Sequence, residues 1–234
     1  MKSIPGLFLA GQINGTSGYE EAACQGLIAG LNAAAKIGGS EPVIIERNQG
    51  YTGILIGDLI TRGADEPYRM FTSRAEFRLH LRIDNADERL TPIGRKIGLV
   101  DDERWAIFEE KQAAKQTLRE FIEKNRLGDW LRRPDAQLAE KAPEYSRAVL
   151  QTIETEYKYA GYLAQQDRQV QRLRDSEGRR IPTEFMYSGI PGLSREMQEK
   201  LTRVRPETLG QAGRIPGVTP AAITVLDVYL RLTQ

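Results

Sequence analysis

Residues 6–34 read GLFLAGQINGTSGYEEAACQGLIAGLNAA. Residues 6–10 are a short apolar run closed by Gly11, the pattern of a buried strand. A polar, glycine-rich stretch follows: Gln12, Ile13, Asn14, Gly15, Thr16, Ser17 and Gly18. Residues 19–36 then form a helix of mostly small residues that can pack closely on a neighbour. Its Glu20 and Glu21 sit in the first turn, where the helix dipole favours negative charge. Strand, loop and helix N-terminus together make a piece of an α/β nucleotide-binding layer, whose free backbone N–H groups suit a phosphate or a flavin carbonyl. An ordinary tight strand-to-helix turn reads the same residues equally well. No βαβ repeat or GxGxxG follows, so this start is expected to be the end of a larger domain.

Beyond a connector, residues 49–60 are apolar and broken by Gly50, Gly53 and Gly57. The most unusual stretch comes next, EPYRMFTSRAEFRLHLRIDNADERL, residues 66–90. Ser73-Arg74-Ala75-Glu76 fits a capping box, which predicts a helix from Ser73 with Arg74, Arg78 and Arg82 on one face. Arg69 precedes them. Four arginines against Glu76 leave residues 69–82 with a local charge of +3. Such a row can grip phosphates with the bidentate geometry that lysine lacks. It can equally be a salt-bridged face paired with Glu76, Asp84, Asp87 and Glu88. Phe71 either stacks on a base or fills the core. His80 is the only histidine, has no Ser or Cys partner nearby, and reads as a packed or surface residue.

The remainder reads as helical. A short helix is expected over residues 91–97 and a longer one from an Asp101 or Asp102 cap to about Asn125. Residues 145–173 are expected to form the longest helix, with Tyr157, Tyr159 and Tyr162 as core and rim. A weak repeat closes the chain. Ile190-Pro191-Gly192-Leu193-Ser194 feeds a helix over residues 195–204, and Ile215-Pro216-Gly217-Val218-Thr219 feeds one over residues 220–232. The hydroxyl stands at each N-cap and Pro220 at the first helical position. Two capped helices in a small bundle, or a helix-hairpin-helix module meeting phosphate, both fit. The expected core of that bundle is Leu193, Met197, Leu201, Leu209, Ile215, Val218, Ile223, Leu226, Tyr229 and Leu230.

Composition bounds the rest. With 234 residues, 33 basic against 32 acidic, the net charge is +1, which excludes a bulk polycation held to nucleic acid by charge alone. One cysteine and one histidine exclude a disulfide framework and any metal site built on several cysteines or histidines. No apolar run is long enough to span a membrane, and a reducing, cytoplasmic setting is expected.

The strings at residues 6–34 and 66–90 closely resemble the C-terminal part of the GidA/MnmG flavoproteins, the tRNA uridine 5-carboxymethylaminomethyl modification enzymes. The tail, SGIPGLSREMQEKL followed by GQAGRIPGVTPAAI, resembles their C-terminal helical subdomain. The stretch near residues 125–131 is shorter than the family pattern. The resemblance implies a mainly α chain: a remnant of an α/β FAD-binding domain at 1–47, a helical domain at 48–183 and a helical subdomain at 184–234. It implies a dimeric, FAD-dependent enzyme, with NADH and methylene-tetrahydrofolate as co-substrates. With an MnmE-type GTPase, such an enzyme adds a carboxymethylaminomethyl group at position 5 of the wobble uridine. Gln12 matches the family's flavin-contacting glutamine, and Asn14, Gly15, Thr16 and Gly18 match the loop closing over the cofactor. Arg69, Arg74 and Arg78 match its PYRMFTSRAE(F/Y)R motif, expected, with Arg82, to meet the tRNA anticodon arm. No catalytic residue carries over, Cys24 included, and the chain alone is expected to be inactive. The rivals are a helical protein-binding adaptor without nucleic-acid contact and a helix-hairpin-helix DNA binder.

Overall fold

The structure, a computed structural model, describes residues 4–232. Among them are ten α-helices: α1 Tyr19–Ile37, α2 Tyr51–Arg62, α3 Ala86–Lys96, α4 Asp102–Lys124, α5 Gly128–Leu131, α6 Arg147–Lys158, α7 Ala160–Gly178, α8 Arg195–Val204, α9 Leu209–Gly213 and α10 Pro220–Leu232. The mainly helical class holds. The predicted strand at residues 6–10 does not form, because a strand exists only by pairing and this segment has no neighbour to pair with. The described residues hold only two isolated bridges, Thr16 with Tyr68 and Arg180 with Thr208.

The contacts group the chain into two compact units, one of Met1–Arg47, Tyr51–Ala75 and Val170–Gln234, the other of Asn48–Gly50 and Glu76–Gln169. In the first, the C-terminal helices close over Leu193, Leu201, Leu209, Ile215, Leu226 and Leu230, with Met197, Val218, Ile223 and Tyr229 packed against them. Every residue of the expected bundle core is there. Ser194 accepts from Met197 N at 3.3 Å and Thr219 from Ala222 N at 3.3 Å. The two IPG turns match in backbone too. Gly192 and Gly217 have φ of 88° and 87°, a left-handed conformation that costs glycine little. Leu193 N–H bonds Ile190 O and Val218 N–H bonds Ile215 O in the same way.

The second unit buries Leu118, Ile122, Leu131, Leu138, Val149 and Ile153. Asp101 caps α4 as expected, accepting from Arg104 N at 2.8 Å. Lys115, on α4, is fully buried and reaches Glu88 of α3 and Glu156 of α6. Two helix expectations are corrected. The helix expected over residues 91–97 begins at Ala86, with Asp87 and Glu88 in its first turn and Pro92 inside it. Residues 145–173 are not one helix: α6 ends at Lys158, α7 starts at Ala160, and the bend falls at Tyr159 beside Gly161, a residue type that lets helices kink. The longest helix is α4, at 23 residues.

The largest correction concerns residues 73–82. Only a single 3-10 turn, Thr72–Arg74, forms, and Ala75 is extended with φ −84° and ψ 126°. Ala75, Phe77 and Leu81 are each buried, a spacing of two and then four that no single helix face provides. Burial of these three side chains outweighs the local capping signal. Arg74, Arg78 and Arg82 therefore do not share a helix face.

Candidate functional site

The Gly11–Ser17 loop is organised by one buried glutamine. Gln25, in the second turn of α1, accepts from Asn14 Nδ2 at 2.8 Å and from Gly11 N at 3.3 Å, and donates to Thr16 Oγ1 at 2.8 Å. Thr16 is 1% exposed and donates onward to Gly11 O at 2.8 Å, while Asn14 also donates to Leu9 O at 2.9 Å. Gly15 has φ 76°, and a Cβ there would stand 2.6 Å from that of Ala64, so the position excludes any side chain. Gln12, by contrast, is exposed. Gly18 is the N-cap of α1 and supplies no side chain to cap it; the buried Glu21 carboxylate packs against it and accepts from its own backbone N–H in that first turn. A cleft of about 510 Å³ opens beside the loop, lined by Phe8, Ile13, Asn14, Gly15, Gln25 and Ile28 among others.

The segment from Tyr68 to Arg74 straps onto this loop. Tyr68 N–H donates to Gly15 O at 2.6 Å, and Thr16 and Tyr68 form the bridge noted above. Two buried carboxylates then anchor the strap. Glu21 of α1 accepts from Met70 N at 2.8 Å and lies 3.4 Å from Arg69 Nε. The Met70 N–H, aided by Arg69, holds its carboxyl below the usual value. Asp58 of α2, 1% exposed, takes Arg47 on one oxygen at 2.9 Å and the Tyr68 hydroxyl on the other at 2.9 Å. Burial, and then the bond to Asp58, push the Tyr68 hydroxyl well above its ordinary value. Arg74 lies over the Tyr68 ring at 4.3 Å, 3.7 Å from Asp58 Oδ2, and donates from Nε to Arg69 O at 3.0 Å. The arginine side chains stay open, 57% exposed at Arg69 and 32% at Arg74, and Phe71 beside them is exposed.

Of the sequence-predicted residues, Gln12, Asn14, Gly15, Thr16, Gly18, Arg69 and Arg74 thus come together in one unit. Arg78 and Arg82 belong to the other. Arg78 is exposed. Arg82 is a fork on Asp84, with both bonds at 2.9 Å, and donates to Leu79 O at 2.6 Å. For Arg82 the salt-bridge reading holds. For Arg69 and Arg74 the partners are Glu21 and Asp58, neither of them among the acids expected. His80 lies 3.4 Å from Asp167. Sequence reasoning missed Gln25, Asp58, Tyr68 and Arg47 altogether. Asp58 carried a usable signal, being the only charge in the apolar run GILIGDLI.

Comparison with known proteins places this geometry. Residues 169–234 match the family described as "tRNA modifying enzyme MnmG/GidA C-terminal helical bundle", and residues 1–41 match "Glucose inhibited division protein A". The chain is 49% identical, over an alignment 258 positions long, to "tRNA uridine 5-carboxymethylaminomethyl modification enzyme MnmG" of Syntrophotalea carbinolica. The chain belongs to the GidA/MnmG family. It corresponds to the C-terminal region of that family, with 98% of its length aligned against 42% of this relative. The enzyme of the same name from Desulfitobacterium hafniense is 48% identical, with 98% and 41% covered. Among solved structures, Aquifex aeolicus GidA in its form II crystal superposes with a TM-score of 0.86 at 39% identity, covering 98% of this chain and 41% of that one. Its form I crystal gives 0.85 at 41% identity. The chain thus spans about two fifths of the length of the GidA/MnmG proteins it matches. Among the described residues, no helix is long and apolar enough to cross a membrane.

Proposed function

We propose that this chain is the tRNA- and GTPase-contacting region of an FAD-dependent enzyme that installs a carboxymethylaminomethyl group at position 5 of the wobble uridine of tRNA. The observation that carries the reading is the Gly15–Tyr68 junction. It holds a glycine-rich loop and an arginine strap together in a chain nearly half identical to relatives named as tRNA uridine modification enzymes. Arg69 and Arg74, and Arg78 from the other unit, meet phosphates of the anticodon arm. Arg82 serves the protein instead, through its fork on Asp84.

The loop suits a flavin cofactor in a divided way. The exposed Gln12 carboxamide is the group available to FAD, since the Glu21 carboxylate already occupies the first turn of α1. The Asn14 amide nitrogen is committed to Gln25 and Leu9 and the Thr16 hydroxyl to Gln25 and Gly11, so they hold the loop's shape. Gly15 and Gly18 keep the backbone close. FAD when bound supplies the redox chemistry, with NADH and methylene-tetrahydrofolate as co-substrates in the intact enzyme. One loop is a small share of a dinucleotide site. The 234-residue chain alone is therefore expected neither to retain FAD nor to turn over, and stoichiometric yellow flavin on the purified chain would contradict that. The GTPase and a second copy are the remaining partners, and the cytoplasm is the compartment.

The test of the tRNA reading is a titration at two salt concentrations. Binding should weaken steeply with salt, and further in an Arg74→Ala/Arg78→Ala variant. A variant that binds as tightly as the parent would sink it.

A further inference from the structure

The geometry points to Tyr68, backed by Asp58, as the residue that positions Arg74 for contact with an RNA phosphate, an inference resting on the tRNA reading above. Three holds act on one guanidinium: the Tyr68 ring at 4.3 Å, Asp58 Oδ2 at 3.7 Å and the Arg69 carbonyl at 3.0 Å. They come from α2, from the start of the strap and from its second residue, so they fix both the plane and the direction of the fork. A free arginine samples many rotamers and gives up that freedom on binding. One stacked and tethered beforehand gives up less. The clamp still leaves 32% of the side chain exposed.

The clamp residues cannot act on RNA themselves. Tyr68 is 5% exposed and Asp58 1%, and the tyrosine hydroxyl is already given to Asp58. Asp58 is fixed in turn by Arg47, which also donates to Ile54 O at 3.1 Å within α2. The chain of support therefore runs Arg47, Asp58, Tyr68, Arg74, and only the last member reaches solvent. A positioning role predicts that the effect of Tyr68 on RNA affinity passes through Arg74. This separates a positioning role from a merely structural one. The stack on the ring face also calls for a planar cation, which a lysine ammonium is not.

A double-mutant cycle on the 234-residue chain tests this, reading anisotropy of a labelled tRNA transcript at two salt concentrations with each variant's melting curve as a fold check. Arg74→Ala is expected to weaken binding roughly tenfold and to lower the salt slope by about one. Tyr68→Leu should weaken it at least about threefold, but add nothing once Arg74 is alanine. Tyr68→Phe, which keeps the ring, should recover at least half of that loss. Arg74→Lys, which leaves the buried residues untouched, should lose nearly as much as Arg74→Ala, and if Tyr68→Leu does not fold, Tyr68→Met takes its place in the cycle. Positioning is overturned if Tyr68→Leu binds like the parent while Arg74→Ala weakens. It is equally overturned if Tyr68→Leu costs the same factor in both backgrounds, or if Arg74→Lys keeps full affinity. An Arg74→Ala variant without effect removes the tRNA reading itself, and the positioning role with it.

Discussion

The C-terminal bundle and the Tyr68–Arg74 strap are organised on opposite principles. The bundle is apolar inside, with Leu201, Leu226 and Ala212 fully buried and hydroxyl caps at its helix starts. The strap has almost no apolar interior. It is held by two buried carboxylates, Glu21 and Asp58, and by backbone bonds to the glycine-rich loop. A bundle of the first kind tolerates conservative change, since its energy is spread over many contacts. A strap of the second kind concentrates its energy in a few desolvated charges, each of which fails if its partner is removed.

The sharpest break in that comparison is Asp58→Ala. It takes the Asp58 carboxylate away from Arg47, which is 5% exposed, and should cost about 3–5 kcal/mol by denaturant unfolding. Replacing both members, as Arg47→Met/Asp58→Leu, should recover much of that loss, because an apolar pair no longer carries an uncompensated charge. If the single and the double variants are equally unstable, the charge itself is not what the site depends on. In the bundle, Leu226→Ala should cost about 2–5 kcal/mol through a cavity, with no charged partner able to rescue it.

Smaller effects sharpen the contrast. Ser194→Ala and Thr219→Ala each remove one N-cap, and each should cost about 1 kcal/mol. Since the two turns match in geometry, the two costs should agree, and a clear inequality would show that the repeat is one of shape only. Glu21 makes the strap, and not the bundle, sensitive to acid. Its folded carboxyl titrates below the ordinary 4.5. Its contribution is therefore complete above that value and lost as the pH falls through the lower folded one. Exchange of the Met70 amide should rise in acid relative to amides of α10, and Glu21→Gln should flatten that difference.

The same contrast explains what could be read from the residues alone. Helices α8 and α10 were legible to the residue, because a cap, a turn glycine and a spaced apolar face all lie within a few positions of one another. The bundle core followed from the same spacing. The loop was legible as a loop, yet Gln25 was not, since nothing local marks a glutamine in a small-residue helix as the partner of Asn14 and Thr16. The arginine stretch misled because Ser73-Arg74-Ala75-Glu76 carries a true local signal that burial of Ala75, Phe77 and Leu81 overrides. The strand at residues 6–10 misled because a strand is a property of two segments, and one segment shows only half of it. Glu21 was read as a helix-dipole partner. Its bond to Met70, 49 residues away, has no trace in either neighbourhood.

The central claim is that the strap faces RNA. Ultraviolet cross-linking of the chain to a tRNA transcript, followed by mass spectrometry of the joined peptides, addresses it most directly. Phe71 is 60% exposed between Arg69 and Arg74, where a ring can stack on an unpaired base. The expected result is a cross-linked peptide containing Phe71, lost in high salt and reduced in Arg74→Ala. Cross-links confined to other parts of the chain, with the peptide containing Phe71 recovered free, would contradict it.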